Sequence, residues 1–353
     1  RTEILSEGWP DSSPSHLIRS SMIFTSILVI FYSFIGNGKP KLDFDTRNSA
    51  PLGPLSILGT LFISVAILYI FIFEPSVFNT LSLEDGFIEW GSALLLFASC
   101  ITFICSFFKS RNILNLSKAI KLSMLLLALV FFIMAMEEVS WFQRVLGIKT
   151  PAAFDGNSQG EMNFHNLHTN AVENIYYFGS FIFLVILPFF RSIFPWVSNN
   201  NYLRRFVARP FIGVIGTISC AYNFDMWNII FTQISFFSSV FILFAFAKFC
   251  INKNERYIIL FAVFIVMITQ ALFLIYGTNF DRLWEVTEYK EFLIPLAFLI
   301  YSLDILVFQH LYLIYLYNMI IYNLHNYGQV CKYVFYIWLY NSLYFLVLIL
   351  HQY

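Results

Sequence analysis

The sequence predicts an all-α protein, a polytopic bundle of about ten transmembrane helices integral to a membrane, and three observations predict it. Hydrophobic residues make up 59% of the 353-residue chain and charged residues only 12%, where a soluble domain carries about 25% charge. Mean hydropathy is +0.71. Apolar runs close to the roughly 20 residues that cross a bilayer recur from one end of the chain to the other.

Taken in order, those runs are 17–36, 54–73, 86–108, 119–136, 171–190, 207–222, 226–247, 257–276, 292–317 and 333–351. Each is long enough to bury its backbone polar groups within a single helix, which lipid requires. Between the sixth and seventh, Tyr222, Asn223, Phe224 and Asp225 read as a tight turn or as a kink in one long tilted helix; an even number of spans is preferred. Gly36 to Pro54 is rich in Gly and Pro and reads as a surface loop. No internal repeat or long linker divides the chain, so 1–353 is expected to be one transmembrane domain with an outer polar segment at 137–170. The polar first sixteen residues precede an apolar run that no small-residue cleavage site follows, so no signal peptide is expected.

Charge sorts the loops. Lys39, Lys41 and Arg47, then Lys109, Arg111, Lys118 and Lys121, then Arg191, Arg204, Arg205 and Arg209, then Lys248, Lys253 and Arg256 fall in alternate loops. The positive-inside rule places these in the cytoplasm. The intervening loops, at 74–85, 137–170, 223–225 and 277–291, then face outward and gather most of the acids. The expected location is a bacterial inner (plasma) membrane, with the 137–170 segment extracytoplasmic and the lipid bilayer as the principal partner. With 21 basic and 21 acidic residues there is no basic excess to neutralise phosphates, which argues against nucleic acid. The five cysteines stand singly, without a CxxC pair, and read as small core residues.

The segment from Met136 to Asn170 concentrates the chemistry. If the fourth span continues through MEEVSWFQR, Glu137, Ser140, Trp141 and Arg144 share one helix face while Glu138 points elsewhere. Adjacent carboxylates closing an apolar run are costly if they face lipid, so they are expected to face inward, or else to anchor the helix end in water. In EMNFHNLHTN, Glu161, His165 and His168 are spaced to share one side of a turn. A carboxylate and two imidazoles suit a divalent metal, zinc or iron; a hydrogen-bonded structural role and metal-free acid–base chemistry remain alternatives. In DRLWEVTEYKE, Asp281, Glu285 and Glu288 form one acidic face, either a solvated helix start or a third wall of the same site. Glu89, one turn into LEDGFIEW, is the carboxylate placed deepest in the membrane, with Arg144 or an outer-loop histidine as its expected partner. Asp304 and His310 lie two turns apart within the ninth run and suggest a local hydrogen bond or a proton path. Walker A, GxSxG, HExxH and GxGxxG motifs are absent.

The ordered pattern LEDGFIEW, EEVSWFQRVLG and QGEMNFHNLH, covering Leu83 to Asn170, resembles a set of uncharacterised polytopic prokaryotic membrane proteins with an EE-x-SW-x-QR…E-x-N-x-HN arrangement. The resemblance implies that Glu137, Glu138, Ser140, Trp141, Gln143, Arg144, Glu161, Asn163, His165 and Asn166 act as one unit, and it implies no reaction. Those proteins usually carry Gly where this chain has Phe142. A more distant similarity, at the level of fold, is to ceramidase-like membrane hydrolases, whose late HxxxH pair this chain lacks.

Three functions follow as expectations. In the first, an outer-face pocket hydrolyses a lipid-like substrate, with Glu161, His165 and His168 on a metal, Glu137 or Glu138 as general base, and Arg144 on an anionic group. In the second, the aromatic excess marks a non-catalytic subunit of a larger membrane complex. The third is a small-molecule carrier, for which the Asn223–Asp225 interruption speaks.

Overall fold

The computed structural model describes residues 7–37, 52–83, 85–111, 116–157, 160–164, 167 and 169–325, with side chains through residue 307 apart from those of residues 36, 37 and 170. The chain divides into two compact units, Arg1–Leu306 and Val307–Tyr353. In the second, the backbone is helical as far as His325. All that follows concerns the first.

Among the described residues fourteen α-helices succeed one another: α1 (Pro14–Asn37), α2 (Leu52–Phe73), α3 (Pro75–Leu81), α4 (Phe87–Arg111), α5 (Lys118–Glu138), α6 (Gln143–Leu146), α7 (Thr169–Phe181), α8 (Leu187–Ile193), α9 (Pro195–Asn199), α10 (Leu203–Phe206), α11 (Pro210–Ser219), α12 (Ile230–Phe249), α13 (Lys253–Ile275) and α14 (Glu285–His325). A π-helical turn, Ile182–Ile186, joins α7 to α8 in one continuous rod. Among the described residues, seven segments are long and apolar enough to cross a membrane: Pro14–Ile35, Leu52–Phe73, Phe87–Arg111, Lys118–Glu138, Ala171–Ile193, Ile230–Phe249 and Lys253–Ile275. They match seven of the ten runs. The ninth run falls inside α14, and the tenth, 333–351, lies outside the described residues.

The sixth run holds a regular helix shorter than a span. Its helix is α11, ten residues long, or about 15 Å, half of a roughly 30 Å hydrocarbon core. Pro210 starts it at the first helical position, where its missing N–H costs nothing. Asn223 ends it: its Nδ2 donates to the Cys220 carbonyl at 2.7 Å, while the amides of Cys220, Ala221 and Tyr222 turn back three residues to Thr217, Ile218 and Ser219. The tightened turn absorbs the carbonyls that a continuing helix would have bonded. The interruption that the sequence offered as a turn or a kink is a buried irregular stretch closed by a 3₁₀ turn at Asp225–Asn228.

All ten residues of α11 are buried, because it lies among α2, α8, α12, α13 and the π turn. The closest approach is at Gly216, where a Cβ would stand 2.8 Å from Leu184 Cβ and 3.1 Å from the Leu184 carbonyl. Since that carbonyl belongs to a helix backbone, it cannot swing aside. Gly216→Ala is therefore expected to cost roughly 1–3 kcal/mol by overpacking, read as a fall in the thermal midpoint in detergent. An unchanged midpoint would show that α11 and the π turn are not in contact.

The first unit's polar contacts gather at its two ends. At one end, Arg209 Nε donates to Asp304 Oδ2 at 2.7 Å, and a second guanidinium nitrogen pairs with Asp304 Oδ1; both side chains are buried. Arg209, which the charge pattern assigned to a cytoplasmic loop, is thus the partner of Asp304; the side chain of His310 lies outside the described residues. At the other end, Tyr289 stacks on Phe78 at 4.1 Å and donates to the Phe78 carbonyl, while Arg282 Nη2 donates to the Ser82 carbonyl at 2.9 Å. These contacts fix the start of α14 against α3 and position the site described next.

Candidate carboxylate pocket and its clasp

The expected helix through MEEVSWFQR does not form. α5 stops at Glu138, and Ser140, Trp141 and Phe142 take φ of +45°, +55° and +60°. Left-handed backbone costs about 1–2 kcal/mol per non-glycine residue, so something must compensate. The compensation is a hydrogen-bonded clasp. Ser140 Oγ donates to Glu161 Oε2 at 2.7 Å, and Asn163 Nδ2 reaches the same oxygen at 2.6 Å and Ser140 Oγ at 3.0 Å. Asn157 accepts from the Glu161 amide and donates to Asn163 Oδ1 at 2.8 Å. Gln143 accepts from the Met162 amide and donates to Thr150 Oγ1 at 3.0 Å. Arg144 bridges Asp85 and Glu161. A glycine at position 142 would hold the same φ without strain.

Several expected contacts are redirected as a result. Glu137 does not meet Arg144 through a helix face; it accepts from Trp141 Nε1 and from the Phe164 amide, both at 2.7 Å. Glu89 accepts from the Asp85 amide at 2.5 Å; Arg144, its expected partner, is near enough to act on it electrostatically while its ion pairs go to Asp85 and Glu161. Asp85, with φ +56°, is a clasp residue that the sequence reading did not single out. Glu161 turns its carboxylate to the Ser140 hydroxyl, the Asn163 amide and the Arg144 guanidinium. His165, Asn166 and His168 lie outside the described residues. Among the described residues, no three His, Cys, Asp or Glu side chains are arranged to hold a metal ion.

Beside the clasp, α5, α7 and α14 enclose a cavity of about 340 Å³. Four carboxylates line it, Glu137, Glu138, Glu173 and Glu291, with Ile133, Met134, Val172, Phe164 and Tyr176 between them. The Tyr176 hydroxyl is shielded from solvent and has no hydrogen-bond partner. Ile133, Phe164 and Val172 are exposed at the cavity's edge, so the opening is hydrocarbon and the interior is acidic. Glu288 lies close enough to Glu138 and Glu291 to interact electrostatically.

The acidic face expected at 281–288 is divided. Glu285 accepts from the Asp281 amide and from Arg282 Nε, sealing the start of α14 well apart from the clasp's partners, and only Glu288 turns toward the pocket. Glu173, Tyr176 and Glu291 were not singled out from the sequence. Glu173 carried a usable signal, a lone carboxylate opening an apolar run, which in a membrane segment is expensive and marks function by default.

A second polar group adjoins the pocket through Tyr177, whose hydroxyl donates to Glu291. Lys290, buried, lies 4.3 Å over the Tyr177 ring and donates to Asn223 Oδ1 at 2.6 Å. Gln270 Nε2 holds the Asn223 carbonyl at 2.7 Å. The amine thus sits at the C-terminal, electronegative end of α11. Nearby, Asp225 is buried with one carboxylate oxygen unpartnered; burial first, and the neighbouring Glu7 next, push its pKa up to about 7, and burial raises Glu7 as well. An acid whose pKa is higher folded than unfolded binds more protons in the native state, so stability falls as pH rises through that interval. The thermal midpoint is therefore expected to drop between about pH 4 and pH 7 and to level off above. Asp225→Asn should flatten the slope; an unchanged slope would assign it to other groups.

No protein-family model, no curated protein and no solved structure matches the chain. What the described residues define is a helical protein with seven segments long and apolar enough to cross a membrane.

Proposed function

We propose that this protein is an enzyme of the bacterial inner membrane that admits the polar part of a lipid-like molecule to the carboxylate pocket and cleaves it by hydrolysis. One observation carries the reading: a single cavity whose rim is hydrocarbon and whose interior presents Glu137, Glu138, Glu173 and Glu291. Such a wall suits an amphiphile entering from the bilayer. In this scheme one carboxylate takes a proton from the attacking water and another returns a proton to the leaving oxygen. Arg144, committed to Asp85 and Glu161, acts here by holding the clasp over α5, in place of the anion-binding role expected from the sequence. The charge alternation of the loops supports an extracytoplasmic position for the pocket.

The test is incubation of the purified protein with a total bacterial lipid extract, with and without a chelator, followed by mass spectrometry of the products. Turnover that disappears in both Glu138→Gln and Glu291→Gln, while the folded protein is recovered, supports the reading. An extract unchanged by the parent protein under all cation conditions rejects it. A second reading, a carrier, is favoured by α11 itself, a broken helix whose C-terminal end faces a buried Lys290; counterflow of labelled solutes in vesicles would reveal it.

A further inference from the structure

A second cavity, of about 560 Å³, runs along the opposite face of α7 between α1 and α12. Its α1 wall extends from Arg19 through Met22 and Ile30 to Phe34, facing Phe178 and Ile186. The fifteen helical rises from Arg19 to Phe34 make that wall about 22 Å long, enough to take a chain reaching from the headgroup layer to the middle of a core about 30 Å thick. Apart from Arg19 and the hydroxyls of Ser26 and Ser238, the lining is aliphatic and aromatic. The one charge stands at one end of the groove.

That charge is only partly satisfied. Arg19 Nη2 donates to the Asn228 carbonyl at 2.7 Å and lies 2.7 Å from His16 Nδ1. Its Nε is shielded and has no hydrogen-bond partner. Among the described residues no carboxylate forms an ion pair with it, and Asp11 at the same end has its carboxylate engaged by Ser13. A guanidinium with no carboxylate in ion-pair contact and only the exposed Asp11 acting on it from farther off, at the head of a hydrocarbon trough, is complementary to one class of molecule.

We propose that this groove binds an anionic phospholipid, with one acyl chain along α1 and the phosphate at Arg19. A guanidinium prefers phosphate in a planar, two-pronged contact, and an acyl chain satisfies the trough without any polar partner. The site is independent of the carboxylate pocket, so either can fail without the other.

The experiment reconstitutes the full chain into vesicles of nine parts phosphatidylcholine to one part phosphatidylglycerol, re-extracts it in mild detergent and quantifies the retained lipid. Phosphatidylglycerol is expected at several times its bulk share, near one molecule per chain. Arg19→Gln should bring the retained share down to near the bulk ratio and Arg19→Lys should preserve most of the enrichment, which separates charge from misfolding. Ile30→Trp, which fills the trough from an exposed position, should release the lipid while leaving Arg19 in place. Retention at the bulk ratio, equal retention by Arg19→Gln and the parent, or full retention by Ile30→Trp would each overturn the proposal.

Discussion

Arg209→Ala is expected to cost about 3–5 kcal/mol of stability, the typical price of stranding one partner of a buried ion pair. Arg209 and Asp304 are 4% and 5% exposed, so neither charge has water to turn to when the other is removed. The effect should exceed that of any surface substitution, which usually stays within about 0.5 kcal/mol. A double replacement, Arg209→Met with Asp304→Leu, should recover most of the loss, because well-packed hydrocarbon often serves as well as a buried pair. Denaturant titration in mixed micelles gives both numbers. Equal stability of Arg209→Ala and the parent would mean that the two groups do not meet.

Glu161→Ala is expected to remove about 3 kcal/mol, at the upper end for hydrogen bonds to a charged group. Its carboxylate accepts from Ser140 and Asn163, both buried, and those donors are then left unmatched. The contribution of Arg144 is smaller, since its side chain is 35% exposed and that of Asp85 is 49% exposed and water screens them. The second consequence is local: without the clasp, nothing offsets the left-handed backbone at Ser140, Trp141 and Phe142. Limited proteolysis should therefore cut between residues 139 and 164 in the variant far faster than in the parent, while Glu161→Gln, which keeps one acceptor oxygen, should be intermediate. Protection equal to the parent's in Glu161→Ala would separate the strained turn from the carboxylate.

Composition alone carries the helical class and the membrane setting, because the hydrocarbon requirement acts on every residue of a span at once. Hydropathy finds the seven long segments for the same reason. It misplaces α11, whose apolar sequence is that of a span but whose length is set by Pro210 and by the side chain of Asn223. A window average cannot see either. The clasp was legible as an ensemble, since Ser140, Gln143, Arg144, Glu161 and Asn163 do converge. Its pairings were not, because they depend on three residues with positive φ, and helical spacing assumes a backbone that the chain does not follow. The pocket was half visible. Glu137 and Glu138 stood out as a pair, whereas Glu173 and Glu291 reach them across 35 or more positions of sequence on α7 and α14, a distance that only tertiary packing closes.

The half-length helix has a consequence for how the protein is made. A ten-residue helix behind Arg209 is about half the length that crosses a bilayer, and its backbone ends would be unsatisfied in lipid. It can settle only after α2, α12 and α13 have built the protein-lined shaft around it, so the order of assembly runs against the order of synthesis at this point. Late docking of α11 would make the joining of these helices the slow step of biogenesis.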